Sequence, residues 1–337
     1  MRASVLREGR MVYRDDLPEP VPGAGQVLVA VRSCGICGSD LHFAAHGAEV
    51  LSLTSEMPRR EGGITVDLSR DVFMGHEFSA EILEAGPDTD THPAGTLVTS
   101  MPVLLSGAGV EAIVYSNTTV GGYAERMLLS APLLVPIPNG LDVQHASLTE
   151  PMAVGLHAVN KSRVQPGEEA LVLGCGPIGI AVIAALRARG VESIVASDFS
   201  TSRRDLAAVM GAHRTVDPAQ DSPFDTAKPA VVFDAVGVPG IIDDVIRRAR
   251  HGTRLVVVGV CMQADTVYPF FAIAKELSVQ FVLAYEPGEF NETLRAIAEG
   301  EIDVAPMITG TVGLQDVGAA FDELGDPERH CKILVTP

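Results

Sequence analysis

The sequence predicts an α/β protein in which a β-rich, barrel-like region precedes a doubly wound parallel sheet. Up to about residue 150, short apolar runs such as QVLVAV and EILEAG alternate with turns rich in glycine and proline, a texture typical of compact β structure. After Pro166 and Gly167 the texture changes, and apolar strands begin to alternate with helical patterns. Such an alternation indicates a parallel sheet with helices on both faces.

The composition excludes several classes of protein. The chain has 337 residues, of which 47% are hydrophobic, and this length predicts about two domains. A formal net charge of −18 argues against nucleic-acid binding, which needs clustered cations. The sequence has no apolar run of about 18 residues and does not start with an apolar signal segment. We therefore expect a cytoplasmic protein that does not span a membrane.

The strands and helices of the second half can be assigned in order. EEALVL and ESIVASD predict strands, each followed by a helix, and a serine or threonine cap opens the second helix. AVVFDAVG and TRLVVVGV continue the strands around a helix, GIIDDVIRRAR, and AKELSVQFVLAY adds a final strand. The tail predicts a helix, FNETLRAIAEG, and a closing strand, KILVTP. We expect one domain over 1–154, a second over 155–285, and a tail, 286–337, that completes the first.

A glycine-rich turn follows the first strand of the second domain. GCGPIG places Gly174, Gly176 and Gly179 in the pattern G-x-G-x-x-G, with Pro177 and Ile178 between the last two. The pattern follows a strand and opens a helix, which is the context that dinucleotide binding requires. Gly174 allows a tight turn, Gly176 lets a pyrophosphate approach the backbone, and Gly179 lets the helix pack closely on the strand. The helix N-terminus offers free N–H groups to the phosphates.

An acid at the end of the next strand bears on the choice of cofactor. Asp198 lies about twenty residues beyond the last glycine, where it can accept hydrogen bonds from ribose hydroxyls and repel the 2′-phosphate of NADP. Arg203 and Arg204 lie nearby and offer a phosphate a positive charge. We weigh the acid more heavily and expect NAD(H) rather than NADP(H).

The stretch SCGICGSDLH has several interpretations. Cys34 and Cys37 suggest a disulfide, half of a zinc finger, a redox pair or part of a metal site. Five cysteines, an odd number, argue against a disulfide framework, and no second ligand pair follows closely, as a zinc finger needs. A redox pair stays open. So does a zinc site of Cys37, His76 and one acid, with a fourth position for water or substrate; the candidate acids are Glu77 and Glu150.

Several motifs, taken in order, resemble a known family. They are CGICGSDLH, GHE, GGYAE, EPMAVGLHAV, VLGCGPIG, SDFSTSRR and VFDAVGVPG. Over essentially its whole length, the chain resembles zinc-dependent medium-chain dehydrogenases/reductases of the alcohol dehydrogenase superfamily, of the sorbitol and secondary-alcohol dehydrogenase kind. The resemblance implies a GroES-like β-rich catalytic domain and a Rossmann domain. It also implies hydride transfer between NAD(H) and a secondary alcohol or polyol and its ketone.

The resemblance implies a ligand set for one catalytic zinc ion. Cys37 and His76 match zinc ligands, and Glu77 matches either a ligand or an alternative ligand that exchanges during turnover. Glu150 matches the position of the third protein ligand in many relatives, so Glu77 and Glu150 compete for that role. Relatives with a structural zinc carry four close cysteines after GHE. Residues 78–149 contain no cysteine, so we expect no structural zinc.

The resemblance also implies a path for the substrate proton. Ser39 matches the hydroxyl that takes the proton, and His42 matches the histidine at the far end of the relay. Asp40 matches the acid that orients the histidine ligand. Cys34 is expected to be a packed thiol, and His46, His145 and His157 receive no role.

Further features follow from the resemblance. The backbone near Val258, Val260 and Leu283 is expected to hold the nicotinamide amide, and Lys332 to reach a phosphate. The segment between His42 and His76 is longer than usual, and we expect residues 50–72 to form a surface loop over the substrate cleft.

The sequence also allows two alternative functions and predicts an oligomer. One alternative is a zinc-free quinone or enoyl reductase of the same superfamily, which lacks the ligand set. Another is a non-catalytic NAD(H)-binding protein, which does not need the relay. SVQFVLAY predicts an apolar sheet edge that needs covering, so we expect a homodimer or homotetramer.

Overall fold

The computed structural model describes residues 1–57, 66–107, 109–138 and 140–337. Across these residues the chain divides into two compact units. The β-rich unit comprises Met1–Glu150, Ile308–Asp326 and Lys332–Pro337, and the parallel-sheet unit comprises Pro151–Met307 and Pro327–Cys331. Two segments near the end of the chain therefore belong to the β-rich unit.

The β-rich unit contains mostly short strands. Its elements in chain order are β1 (Ala3–Arg7), β2 (Arg10–Arg14), β3 (Gln26–Gly35), α1 (Gly38–Ser55), β4 (Glu77–Ala85), β5 (Leu97–Ser100), β6 (Val103–Ser106), β7 (Gly109–Ala112), β8 (Arg126–Ser130), β9 (Leu134–Pro136), α2 (Val143–Ser147), β16 (Ile308–Val312), α10 (Val317–Glu323) and β17 (Lys332–Val335). Its main sheet has the order β16-β17-β3-β4-β5-β9, with β8 pairing on β3. The β-rich prediction is confirmed.

Strands β3 and β4 form the centre of this unit. They pair antiparallel, and Gly35 lies directly opposite Glu77. Their inward side chains, such as Val29 and Phe78, are buried in the hydrophobic core, and this burial fixes the register because a slip of one residue would turn the core face to water. The pairing brings the residues after β3 next to the residues before β4. Cys37 and His76 are consequently neighbours in space.

The closing strand β17 adds a residue to this end of the sheet. It pairs antiparallel with β3, with Leu334 opposite Gly35 and Val335 opposite Cys34. Lys332, the first residue of β17, is consequently held beside the same ends of β3 and β4. The predicted closing strand KILVTP is therefore part of the framework around the candidate site.

The parallel-sheet unit has the predicted doubly wound form. Its elements are α3 (Thr149–Ser162, of which the first two residues belong to the β-rich unit), β10 (Glu169–Leu173), α4 (Pro177–Ala188), β11 (Ser193–Ser197), α5 (Thr201–Val209), β12 (Arg214–Val216), α6 (Pro223–Thr226), β13 (Val231–Asp234), α7 (Ile241–Arg248), β14 (Arg254–Val257), α8 (Pro269–Ala274), β15 (Ser278–Phe281) and α9 (Pro287–Ala298). The strand order is β12-β11-β10-β13-β14-β15, with parallel pairs throughout. Its core includes Leu171, Val195 and Val232.

The tail is divided differently from the expectation. Residues 286–307 lie with the parallel-sheet unit, because α9 is joined to α3 by polar contacts. Glu289 of α9 accepts a hydrogen bond from the Asn160 amide at 2.6 Å, and its other oxygen lies 2.7 Å from His157 Nδ1. The tail therefore completes the β-rich unit only from residue 308, with 327–331 again excepted.

The long segment after His42 is also different from the expected loop. Its first residues continue helix α1 as far as Ser55, whereas residues 58–65 lie outside the described part of the chain. Leu68, beyond that gap, packs toward Gly47 of α1. Among the described residues, no helix is long and apolar enough to cross a bilayer.

Glu289 gives a test of how α9 is held. Burial raises the pKa of its carboxyl, but the backbone N–H of Glu286 and the contacts with Asn160 and His157 outweigh burial and hold that pKa below the ordinary value of 4.5. A lowered folded pKa stabilises the fold above pH 4.5, and the contribution is lost as the pH falls through the folded value. We expect Glu289→Gln to lower the free energy of unfolding by about 1–3 kcal/mol at pH 7. The loss should shrink below pH 4.5, as urea unfolding at several pH values would measure.

The exposed Glu292 of the same helix supplies the control. Glu292→Gln should leave the unfolding free energy unchanged at pH 7 and below pH 4.5. A pH-independent loss in Glu289→Gln would contradict the charged contact.

Candidate metal centre and nucleotide site

Three side chains of different chemistry converge at the ends of β3 and β4. One ligand atom each from Cys37, His76 and Glu77 lies within 4.8 Å of the others. Cys37 is the residue before α1, His76 immediately precedes β4, and Glu77 is its first residue. A sulfur, an imidazole nitrogen and a carboxylate oxygen are ligands that zinc prefers in tetrahedral sites.

The negative charges around His76 favour a positive charge in this cluster. Burial lowers the pKa of His76, but the negative charges of Asp40, Cys37 and Glu150 outweigh burial and hold the pKa well above its ordinary value. A site that stabilises a proton on a buried imidazole in this way also favours a divalent metal ion. The donor set and its electrostatics therefore both fit zinc.

Asp40 is a buried acid beside two residues of this cluster. It is buried in the first turn of α1, where its Oδ2 accepts the backbone N–H of Cys37 at 3.3 Å and the hydroxyl of Tyr123 at 2.5 Å. Its Oδ1 lies 3.5 Å from His76 Nδ1. Burial raises the pKa of Asp40 above its ordinary value, so these donors stabilise a carboxylate that has little access to water. Asp40 Oδ1 and His76 Nδ1 form no hydrogen bond with each other or with another described residue, so Asp40 acts on His76 through its charge.

Glu77 has a full buried partner in Lys332. The Lys332 ammonium donates to both carboxylate oxygens of Glu77 at 2.8 Å and to the Ile36 carbonyl at 3.0 Å. Gly35 provides the space, because a Cβ there would lie 2.1 Å from Glu77 Oε2. Lys332 was expected to reach a cofactor phosphate. The structure instead buries its ammonium against Glu77, because β17 enters the sheet beside β3.

The other residues of this unit that were predicted for the site differ in burial and in their contacts. Glu150 adds negative charge around His76, although the ligand cluster found among the described residues does not include it. Ser39 is exposed in the first turn of α1, and His42 is half-buried one turn later. Cys34 is a buried free thiol, and a Cβ on Gly122 would lie 2.5 Å from its sulfur. Cys34 is therefore a packed thiol, as expected.

The glycine turn of the parallel-sheet unit has three distinct backbone environments. Gly174 has φ +85°, a conformation that favours glycine. Gly176 precedes α4, and a Cβ there would meet no atom within 4 Å, so its backbone is open. A Cβ on Gly179 would lie 1.9 Å from the Gly174 carbonyl. Pro177, which has no N–H group, and Ile178 begin α4 directly after Gly176.

Asp198 is held against this turn. Its Oδ2 accepts the Cys175 N–H at 2.7 Å and its Oδ1 accepts the Ser200 N–H at 2.8 Å. Arg203 NH1 lies 4.0 Å from the carboxylate, and Arg204 donates to the Asp198 and Phe199 carbonyls. Two backbone N–H groups thus hold the Asp198 carboxylate in place, and Arg203 lies beside that carboxylate.

The expected nicotinamide contacts differ in exposure. Val258 is buried, and its N–H donates to the Asp234 carbonyl at 2.9 Å. Val260 and Leu283 are highly exposed. The structure therefore leaves these two side chains open to a ligand or a protein partner.

Sequence reasoning assigned no role to two residues that the site uses, and it gave a third a different role. Tyr123 lies in the quoted GGYAE motif, and its hydroxyl bonds Asp40. Tyr115 donates to the Ser39 carbonyl at 3.0 Å and stacks on Phe43 with ring centroids 3.9 Å apart. The third, Lys332, was given a different partner. A lysine opening the apolar run KILV was the one signal that could have indicated a buried ion pair.

Together, a GroES-like unit with a zinc-type ligand cluster and a dinucleotide-type turn define a nucleotide-dependent dehydrogenase. Residues 23–139 match the family model of the alcohol dehydrogenase GroES-like domain, and residues 177–299 match that of the zinc-binding dehydrogenases. The chain belongs to the zinc-type medium-chain dehydrogenases/reductases of the alcohol dehydrogenase superfamily. It is an oxidoreductase of this family.

Named relatives extend over nearly the whole chain. The 2-dehydro-3-deoxy-L-galactonate 5-dehydrogenase of Pseudoalteromonas atlantica is 30% identical, covering 93% of this chain and 92% of that protein. The (R,R)-butanediol dehydrogenase of Bacillus subtilis is 29% identical, covering 100% of both. The crystal structure of 2R,3R-butanediol dehydrogenase from Bacillus subtilis is 28% identical, covers 100% of this chain and 99% of that one, and has a TM-score of 0.85.

The Glu77–Lys332 pair gives a direct test of the buried framework. Lys332→Met leaves the Glu77 carboxylate buried without its cation, and we expect a loss of roughly 3–5 kcal/mol in the unfolding free energy of the metal-free protein. Removing both charges with Glu77→Leu and Lys332→Met should recover most of that loss, because no unpaired charge remains. Urea unfolding of the chelator-treated proteins measures both.

Lys228→Met, at an exposed lysine, is the matched control and should change little. A double variant as unstable as Lys332→Met alone would contradict the pair.

Proposed function

We propose that this protein oxidises a secondary alcohol or polyol, or reduces the corresponding ketone, with one catalytic zinc ion and NAD(H). The single observation that carries the proposal is the convergence of Cys37, His76 and Glu77 within 4.8 Å in a chain of the zinc-binding dehydrogenase family. A zinc-free reductase or a non-catalytic NAD(H)-binding protein would not need this ligand set.

Cys37 and His76 would hold the ion, and Glu77 or Glu150 would supply the third protein ligand. Bound zinc supplies Lewis acidity, which makes an alcohol hydroxyl easier to deprotonate or a carbonyl easier to reduce. The ion pair with Lys332 supports Glu77 as a ligand that exchanges, because the carboxylate has a second cation available when it is not on the metal. Glu150, which already acts on the charge of His76, is then the resting ligand. One zinc ion per chain is proposed, because residues 78–149 contain no cysteine.

Ser39 and His42 would carry the substrate proton away. The exposed Ser39 lies two residues from Cys37, and its carbonyl is fixed by Tyr115. Asp40, whose Oδ1 lies 3.5 Å from His76 Nδ1, would orient that ring. The chain would then supply proton removal and positioning, while NAD(H) accepts or donates the hydride. The relatives named for butanediol and for a deoxy-sugar acid support a small hydroxylated substrate.

We further propose NAD(H) as the preferred cofactor. The anchored carboxylate of Asp198 supports this preference, because a 2′-phosphate would meet a fixed negative charge. Arg203 is the residue that opposes it, and its 4.0 Å contact with Asp198 reduces the charge that it offers to a phosphate.

We also propose a homodimer or homotetramer in the cytoplasm. Strand β15 lies at an edge of its sheet, and Phe281 on it and Phe270 and Ile273 on α8 are highly exposed. A second copy would cover this apolar surface. The cytoplasmic location stays a prediction from the sequence.

Metal analysis combined with activity tests the proposal. We expect about one zinc ion per purified chain, with NADH formed from vicinal diols, polyols or other secondary alcohols. Cys37→Ala should lose the metal and lower the activity by more than about a hundredfold, whereas Cys34→Ala should keep both. Elemental analysis and NADH absorbance on the same samples measure this. Equal losses in the two variants would favour the redox pair, and full activity without zinc would favour the zinc-free reductase.

Replacing Asp198 tests the choice of cofactor. Asp198→Ala removes the fixed charge beside Arg203, so the ratio of kcat/KM for NADP to that for NAD should rise by roughly tenfold or more, equivalent to about 1.4 kcal/mol. Asp205→Ala, at an exposed acid of α5, the helix that carries Arg203, should leave the ratio unchanged. A wild type that prefers NADP, or an unaltered ratio in Asp198→Ala, would count against the assignment.

A further inference from the structure

Helix α1 carries two histidines on one side, one turn apart. His42 is the candidate end of the proton relay, and His46 has no role in the proposed reaction. Their ring centroids lie 4.9 Å apart, and the planes are tilted by 42°. Two imidazoles at this separation are close enough to exchange a proton directly or through one water molecule.

The Nε2 atom of His42 does not open directly to solvent. Its Nε2 is enclosed and has no hydrogen-bond partner among the described residues. A buried ring nitrogen without a partner is uncommon and calls for an explanation. A proton at this atom needs an acceptor that the rest of the relay does not supply.

His46 has the exposure that His42 lacks. Its side chain is 54% exposed, and its backbone leaves the helical conformation at φ −131° and ψ 24°. Packing on both sides keeps this kink in a fixed position. Phe43 stacks on Tyr115 before it, and the buried Gly47 after it lies against Leu68, which a Cβ would approach to 3.3 Å.

A surface carboxylate lies beside His46. Glu49 Oε2 lies 4.0 Å from His46 Nδ1, and its side chain is also 54% exposed. Water reaches both side chains, so a proton on His46 has a direct route to solvent. The two histidines therefore lead from an enclosed ring nitrogen on His42 to an exposed imidazole on His46.

We propose that His46 receives the substrate proton from His42 and releases it to solvent. This inference rests on the proposed function, which supplies the proton. An N–H bond of the His42 imidazolium breaks, an N–H bond forms on His46, and His46 then passes the proton to water or buffer. No electrons are transferred, and His42 returns to its neutral form for the next turnover. His46 acts through His42 and does not need to touch the substrate.

The test compares proton release with NADH formation in the first turnover. Zinc-loaded enzyme, NAD and a secondary alcohol found active for the wild type are mixed in weak buffer with a pH-indicator dye. Wild-type enzyme should release the proton in step with NADH. His46→Phe keeps a ring beside His42 but cannot carry a proton, so proton release should lag behind NADH formation by roughly tenfold. Added imidazole should remove the lag.

A control and a second variant keep the result interpretable. His251 lies 3.6 Å from Glu276 on the parallel-sheet unit, and His251→Phe should show no lag. If His46→Phe fails to fold, His46→Gln carries the same expectation. Proton release in step with NADH in the folded His46 variant would overturn the inference, and so would a lag that imidazole does not shorten. Absence of NADH formation by the wild type would instead refute the proposed function.

Discussion

The framework of the candidate site depends on the neutralisation of two buried carboxylates. Asp40 and Glu77 are both fully buried, and an ionised acid away from water is costly unless donors or cations surround it. Asp40 receives a backbone N–H, the Tyr123 hydroxyl and the neighbourhood of His76. Glu77 receives the Lys332 ammonium. The start of α1, Tyr123 and strand β17 each supply part of that compensation.

This requirement explains why the end of the chain returns to the β-rich unit. Lys332 is 255 residues from Glu77 in sequence, and it reaches Glu77 because β17 pairs with β3 beside Gly35. Gly35 must lack a side chain, since the carboxylate occupies the space where a Cβ would lie. The pairing of β17 with β3 therefore both extends the sheet and brings Lys332 to Glu77. Buried contacts of this kind restrict the Glu77 side chain, which favours accurate positioning.

The parts that follow local rules could be predicted from the sequence. The parallel sheet and the G-x-G-x-x-G turn follow from strand and helix periodicity within short segments, and the glycine roles from steric limits that the structure repeats at Gly174 and Gly179. The predicted zinc ligands needed the family resemblance as well, because Cys37 and His76 are brought together by the β3–β4 register. Periodicity alone does not specify which residues face each other across a sheet.

The missed features depend on long-range contacts. The partner of Lys332 is set by the pairing of β17, and α9 lies with the parallel-sheet unit because Glu289 meets His157 and Asn160. Helix α1 extends to Ser55 through a segment interpreted as a loop, since packing of Phe43 and Gly47 stabilises it beyond its local propensity. In each case tertiary contacts between distant residues decide the outcome.

Zinc K-edge X-ray absorption of the metal-loaded protein tests the central claim most directly, because it reports the ligands of the ion without relying on activity. The account predicts one sulfur at about 2.3 Å, with nitrogen and oxygen ligands at about 2.0–2.2 Å completing a four-coordinate site. Replacement of Cys37 should remove the sulfur contribution. A spectrum with no sulfur, or with two sulfurs that include Cys34, would contradict a centre built on Cys37, His76 and a carboxylate.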